Sequence, residues 1–461
     1  MSILPISTPN STLISKIHLP FLTQVIPQEV IEEVLQQNNA HAKRQRKLCM
    51  PVIVWWIIAM HLYVQEPMYY VFEKISAAWM RCETSKQTQS PGASALVYRR
   101  YQLGARPLFA LFHRICRPLA SASTQGSCLF GLKLLAIDGQ VLSMPDTPHN
   151  DRYFGRSSSQ RGASAYPQAQ AVYLCECGTH AIIDAGLWPY RISEHIGARR
   201  MLRNVGKGTL VMWDRGLYSY EQFCCAMQKE AHVLCRIASN LKPSQIQVLP
   251  DGSRLVRIFP NESAQRRCRE YLDVRLIEYT LNDPALPGHD ETHRLITTLL
   301  DPTLYPAVDL VCAYHQRWEI EGTADEIETH QCGKGPALRS LKPIGVIQEF
   351  YGLLMAHYLV RFWIHQSASH QDLDPDRISF IGALRLIGDM AIAFAVVPPE
   401  LWPELCETVL QCIGRHRLPP RRHRSYPRVV KRKMSNFELK KPEHNRPPKL
   451  KETFKEAVCL I

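Results

Sequence analysis

Tyr314, Arg317 and Glu321 stand three and then four residues apart, a spacing that gathers a phenol, a guanidinium and a carboxylate on one face of a helix. The first two suit phosphate oxygens, the guanidinium through its planar fork. The third is a hard oxygen ligand of the kind Mg²⁺ takes. Two more acids answer it. Asp138 closes the apolar run Leu134-Leu135-Ala136-Ile137, and Asp214 closes Thr209-Leu210-Val211-Met212-Trp213. Alone, each acid has an ordinary explanation: a turn after a strand for Asp138-Gly139, a helix N-cap for Asp214, a surface i,i+4 ion pair for Arg317 and Glu321. Together they describe two aspartates at the ends of separate strands of one sheet, where ligands collect in α/β folds, and a later helix that brings a third acid. Breaking or transferring a phosphodiester needs an activated nucleophile and a stabilised leaving oxygen, and two divalent ions about 3.5–4 Å apart supply both. Mg²⁺ keeps several waters, so three carboxylates and a substrate phosphate suffice for it. Without metal the acids would repel one another and hold some of their number protonated. The residues therefore point to Asp138, Asp214 and Glu321 as ligands of two Mg²⁺ ions, with Mn²⁺ as a substitute, at a site that cuts and rejoins a phosphodiester backbone.

The elements that must position these acids follow from periodicity. Ile26 to Leu35 has helical spacing with Pro27 in its first turn. The basic cluster Lys43-Arg44-Gln45-Arg46-Lys47 follows, then an apolar helix from about Pro51 to Val64 and another starting near Met68. This forms a helical domain to about residue 122, with a possible helix-turn-helix contact to DNA. Strands are expected at Lys133–Ile137, Gln168–Leu174 and Ala181–Trp188, the last two joined so briefly that they must be antiparallel. A helix at Ser193–Leu202, a strand at Thr209–Trp213, a helix at Ser219–Lys229 and a strand at Val233–Ile237 complete a mixed sheet with helical crossovers. The stretch Ser143 to Pro167, with Arg152, Arg156 and Arg161, reads as a long loop, either functional or disordered. Residues 240–300 alternate like a small β insertion, with strands at Arg254–Ile258, Leu272–Tyr279 and Leu295–Thr298. A helix from about Val308 to Thr329 carries Glu321, and two apolar helices, Ile344–Ile364 and Ile378–Val396, close the core. The expected divisions are 1–122, 123–239, 240–300, 301–398 and a Pro-rich, basic tail at 399–461.

Composition narrows the partner. Hydrophobic residues at 46% and charged ones at 21% give a soluble protein with an ample core. The longest apolar run, from Met50, is short for a membrane span. Met1 to Phe21 has no basic start before a long apolar block, so no signal peptide is expected. The 15 cysteines form no C-x-x-C pair, which speaks against zinc and for reduced cytosolic thiols. The net charge is +13, and between Arg415 and Lys451 there are 14 Lys or Arg against Glu438 and Glu443. That local balance of +12 leaves +1 for the remainder, so basicity belongs to the tail. Interleaved with Tyr426 and Phe437, it favours a nucleic-acid partner.

Several ordered stretches match one family. They are Ala136-Ile137-Asp138-Gly139, Met144-Pro145-Asp146-Thr147-Pro148, Glu176-Cys177-Gly178-Thr179-His180-Ala181, Trp213-Asp214-Arg215-Gly216-Leu217-Tyr218-Ser219 and Tyr314 to Glu321. Over nearly its whole length the chain resembles the DDE transposases of bacterial insertion sequences, specifically the insertion element 4 family. Ile26 to about Ile75 is similar to that family's N-terminal domain, and Arg428 to Ser435 to its C-terminal signature. The resemblance implies a ribonuclease-H-like α/β core with a β insertion, and Mg²⁺-dependent cleavage at transposon ends followed by strand transfer into target DNA. It makes Asp138, Asp214 and Glu321 the metal ligands, and Tyr314 and Arg317 holders of the phosphate near the cut, with Arg215 counted beside them. It also implies a homodimer on paired DNA ends in the cytoplasm, at the nucleoid. One position departs from the family motif Tyr-x-x-Arg-x-x-x-Glu-x-x-x-x-x-x-Lys: Glu328 stands where Lys is usual. That exchange loses a phosphate contact and brings negative charge towards DNA, and Lys334 lies six residues on. Two alternatives therefore stand beside the active transposase: an end-binding protein of the same fold that no longer cuts, and a ribonuclease-H-like nuclease without strand transfer.

Overall fold

A computed structural model describes residues 20–40, 48–63, 66–81, 91–159, 162–284, 286, 288–289, 291–317, 323–324, 326–331, 338–418 and 453–461. Helices α1 (Gln28–Gln37), α2 (Met50–Ala59), α3 (Met68–Arg81), α4 (Ala93–Leu103) and α5 (Arg106–Ile115) come first. Strand β1 (Leu132–Ser143) opens the sheet, followed by the short helix α6 (Pro148–Phe154) and the hairpin β2 (Gln168–Glu176) and β3 (Ile182–Pro189). Next come α7 (Glu194–Met201), β4 (Thr209–Trp213), α8 (Tyr220–Met227) and β5 (His232–Arg236). Four more strands, β6 (Ser244–Val248), β7 (Arg254–Ile258), β8 (Leu272–Leu281) and β9 (His293–Thr297), precede helix α9 (Ala307–Gln316). Helices α10 (Pro343–Gln371), α11 (Phe380–Val396) and α12 (Trp402–Arg415) and a last strand β10 (Val458–Leu460) end the chain. This is the mixed α/β class, a mixed sheet with helices, that the periodicity predicts.

Two compact units interleave along the sequence: Met1–Gln125, Gly139–Gly197 and Ile320–Arg417 in one, Gly126–Asp138, Ala198–Glu319 and Leu418–Ile461 in the other. The first is mainly helical. Every residue of α2 is buried, as a ten-residue run with no polar face requires. Helix α10 is buried along most of its 29 residues. Gln348 and Glu349, buried on this helix, have partners in place: Arg100 of α4 donates to Gln348 at 2.9 Å and to the Gly345 carbonyl at 2.8 Å. Glu349 accepts from the Arg339 amide at 2.6 Å and the Ser340 hydroxyl at 2.7 Å. The hairpin of β2 and β3 is antiparallel, as its short turn predicts.

The second unit holds the sheet that bears the two aspartates. The first half of β1 pairs with β4, and β4 with β5, all parallel. From β5 the order continues through β9, β8 and β7 to β6 by antiparallel pairs. The β-rich insertion is therefore an extension of the same sheet: Thr297 of β9 pairs with Leu234 of β5, so β5 has a partner on each side.

Local features differ from the sequence expectation for identifiable reasons. Strand β1 runs on past Asp138 to Ser143 instead of stopping at Ile137. The expected loop after Ser143 contains α6, whose start is set by Pro148 in the first turn and by the Thr147 hydroxyl accepting from the Asn150 amide. Arg161 and the cluster Lys43 to Lys47 lie outside the described residues. The expected continuous helix from Val308 to Thr329 ends at Gln316, and Glu326–Gln331 form one turn of π-helix. The stretch expected as tail contains α12 and β10, and residues 419–452, which hold most of its basic charge, lie outside the described residues.

Candidate active site

The parallel pairing of three strands closes at one level. Ile137 of β1 is opposite Trp213 of β4, and Trp213 is opposite Cys235 of β5. Asp138 and Asp214 are each the next residue, so they leave neighbouring strands at the same height and on the same side of the pleat. With adjacent strands about 4.8 Å apart, two carboxylates here can share a cation. Apolar runs on both strands make this inevitable. Leu134 to Ile137 and Leu210 to Trp213 are buried, and register in a sheet with a buried face is fixed by that burial.

Asp214 is held in place by its own loop. Its Oδ1 accepts from the Leu217 amide at 3.0 Å and caps the short 3₁₀ turn Arg215–Leu217. A Cβ at Gly216 would lie 3.3 Å from both carboxylate oxygens, so the glycine keeps the approach open. Arg215, the first residue of that turn, is exposed. Asp138 is followed by Gly139, where a Cβ would come 1.8 Å from Oε1 of Glu194. The side chain that Gly139 lacks leaves space for a carboxylate from the first turn of α7.

The last turn of α9 supplies the cationic partner. Tyr314 and Arg317 are both buried, at 4% and 5% exposure. The Tyr314 hydroxyl donates to the Trp213 carbonyl at 3.5 Å, directly before Asp214. The Arg317 guanidinium lies 5.3 Å from the centre of the Tyr314 ring. Burial pushes the phenol of Tyr314 well above its usual value, against the pull of Arg317 and with help from Cys235 and Asp214. It therefore stays a neutral donor. The Cys235 thiol donates to the Asp214 carbonyl at 3.6 Å. Burial raises its pKa strongly and Asp214 raises it further, while Arg317 opposes both. Sequence reasoning missed Cys235, because nothing in an apolar strand marks the one residue whose thiol will reach the Asp214 carbonyl.

Glu321 and its neighbours Trp318 to Gly322 lie outside the described residues, as does Lys334; Glu328 lies in the π-helical turn. Among the described residues no group of three or more His, Cys, Asp or Glu side chains is placed to hold a metal ion. The donors that are described do suit a divalent cation: two hard carboxylates abreast on parallel strands, one fixed by an amide.

A second charged cluster went unmarked in the sequence. Glu326, first residue of the π-helical turn, accepts from His357 Nε2 at 2.9 Å and from Arg361 Nε at 3.0 Å. His180, held at a φ of 57° after the β2–β3 turn, lies 3.6 Å from Glu326 Oε1 and 2.9 Å from Asp376. Arg361 and its partners hold the Glu326 carboxyl well below its usual range in spite of burial.

Residues 16–113 match the family described as insertion element 4 transposase N-terminal, and residues 130–359 match the transposase DDE domain. The chain belongs to the insertion element 4 family of DDE transposases. Like other DDE transposases, it is an enzyme that binds DNA, cleaves it and transfers a strand, and that depends on a divalent metal. Transposase InsG of insertion sequence element IS4 from Escherichia coli K12 is 27% identical over 419 residues, which cover 90% of this chain and 92% of InsG. The K12 protein named InsZ is 25% identical over 226 residues, 48% of this chain and 73% of InsZ. A piggyBac transposase in a synaptic complex with hairpin DNA is 14% identical, at a TM-score of 0.43, with 86% of this chain and 85% of that one covered. No described helix of the transposase is long and apolar enough to cross a membrane.

Proposed function

We propose that this transposase cuts at the terminal inverted repeats of its own element with Asp138, Asp214 and Glu321 as ligands of two Mg²⁺ ions. The observation that carries the reading is the parallel register of Ile137 with Trp213, which brings Asp138 and Asp214 abreast. Bound divalent ions supply an activated nucleophile and stabilise the leaving oxygen. The chain's own residues do the rest. Asp214, fixed by the Leu217 amide, and Asp138, fixed within β1, need no rearrangement to present their oxygens. Arg317 is the guanidinium that pairs with the phosphate at the cut, and Arg215, exposed beside Asp214, pairs with the DNA backbone. Tyr314, bonded to the Trp213 carbonyl, braces the end of β4 and orients Arg317. Cleavage by water frees a 3′-hydroxyl, which attacks a target phosphodiester, joins the target's 5′-phosphate and displaces the 3′-oxygen of the neighbouring target nucleotide. The enzyme works as a homodimer on paired ends, in the cytoplasm at the nucleoid.

The test is a labelled duplex carrying the inverted repeats that flank the gene, incubated with Mg²⁺ or with chelator. Nicking and joining are expected with Mg²⁺ or Mn²⁺, and binding alone with chelator. Cutting without joining would mark a nuclease. Binding without nicking in Mg²⁺ would mark an end-binding protein, the reading that Glu328 at the Lys position favours.

A further inference from the structure

The chain's last nine residues return to helix α9. Thr453 opens a single helical turn closed by a capping box with Glu456. The Phe454 ring stacks on His315, centroids 3.7 Å apart and planes 9° from parallel. Lys455 Nζ lies 2.8 Å from Asp309 Oδ1. The chain then becomes β10, antiparallel to β8 with Leu460 opposite Tyr279 and Val458 opposite Leu281. The Asn282 amide donates to the Ala457 carbonyl at 2.9 Å and the Ile461 amide to the Glu278 carbonyl at 2.9 Å.

Helical geometry says which side of α9 this covers. At 100° per residue, Leu310, Tyr314 and Arg317 form one stripe, and all three are buried. Asp309, Cys312 and His315 form the opposite stripe. Both named contacts of the C-terminal segment fall on it, one in the first turn of α9 and one in the last. The helix is thus backed along its length on the side away from Asp214.

We propose that Thr453–Ile461 form a positioning clasp, in which Phe454 against His315 and Lys455 against Asp309 set the axial place of α9 and so the placement of Tyr314 and Arg317 beside Asp214. The Lys455–Asp309 pair is exposed and weak by itself. The ring stack and the strand pairing give the clasp its hold, and the ion pair gives it register. A displacement of about 1 Å at a phosphate-holding guanidinium costs on the order of a hundredfold in rate. The clasp therefore acts through Tyr314 and Arg317, and the inference rests on the roles proposed for them above.

The full-length double variant F454A/K455A is assayed on the inverted-repeat duplex for end binding and single-turnover cleavage separately. Expected is a tenfold or greater loss of cleavage rate, with end-binding affinity within twofold. The conservative F454W/K455R variant should recover the rate. In a cycle of F454A and H315A the losses should be non-additive, because the two rings act as one contact. Unchanged cleavage in F454A/K455A overturns the clasp. So does a parallel fall of binding, cleavage and melting temperature that F454W/K455R does not repair, since that is plain destabilisation. Arg317→Ala serves as the control: if it cleaves normally, the reading of α9 fails, whereas an inactive R317A beside an active F454A/K455A rejects the clasp alone.

Discussion

At the scale of single residues, Asp214 has two jobs that substitution can separate. Its Oδ1 caps the turn at Leu217, and asparagine caps nearly as well as aspartate. Asp214→Asn should keep the melting temperature within the few degrees that about 1 kcal/mol represents, retain end binding and lose cleavage. Residual cleavage near the wild-type rate would remove Asp214 from the metal site. Asp138→Asn should behave the same way. His180 gives a prediction of opposite sign to the usual carboxylate effect. Burial and Arg361 lower its pKa, but Asp376 and Glu326 prevail and raise it to about 9. Among the described groups that face it, His357 is held neutral by burial. A folded pKa above the unfolded value near 6.5 means stability that is complete below about pH 6.5 and lost as pH rises through 9. The urea midpoint should fall between pH 7 and 10. His180→Asn, which tolerates the left-handed backbone, should flatten that decline. An identical pH profile in the variant would mean that another group titrates.

At the scale of elements, packing of helices against α10 fixes the first unit. Gly352 of α10 meets α2 so closely that an added Cβ would lie 2.8 Å from Ile57 Cγ2 and 3.1 Å from its carbonyl oxygen. A backbone oxygen cannot swing aside as a side chain can. Gly352→Ala should therefore destabilise the protein by about 1–3 kcal/mol, read as a lower melting temperature. An unchanged midpoint would mean that the two helices have room to part. The sheet obeys the same logic in a different geometry. Parallel pairing sets Ile137 of β1, Trp213 of β4 and Cys235 of β5 level, and antiparallel extension through β9 to β6 leaves that register undisturbed.

At the scale of the whole molecule, charge and partner are linked. Residues 421–451 hold 12 Lys or Arg, while Arg415 and Arg417 belong to or directly follow α12. Replacing the 12 with Gln keeps the chain length and the C-terminal strand. DNA binding should weaken, and the slope of log K against log salt should become shallower, because fewer counterions are released. An unaltered slope would make this charge a bystander. The homodimer belongs to the same scale: mass photometry should find two protomers with paired ends, and a lone protomer on a single unpaired end throughout cleavage would exclude it.

Much of the geometry around Asp138 and Asp214 was legible in the sequence because local chemistry fixed it. Apolar runs that stop at an acid announced β4 and the two aspartates, and the spacing of Tyr314 and Arg317 announced one face of α9. Turn residues at Glu176 to Thr179 announced the hairpin. Other features depend on partners distant in the chain, and no local pattern carries them. Strand β1 continues past Asp138 although its apolar run stops there. Cys235 joins the candidate site only because β5 pairs with β4 in the register that sets it opposite Trp213. Glu326, His180, Arg361 and Asp376 are ordinary polar residues until folding buries them together. Residues 458–460 are three residues after a basic stretch, and only β8 makes them a strand. The sequence by itself determined which groups could do phosphodiester chemistry, since reactivity resides in side-chain type and short spacing. The tertiary structure alone decided which of them stand abreast and what braces them, because register, burial and long-range pairing are properties of the packed chain.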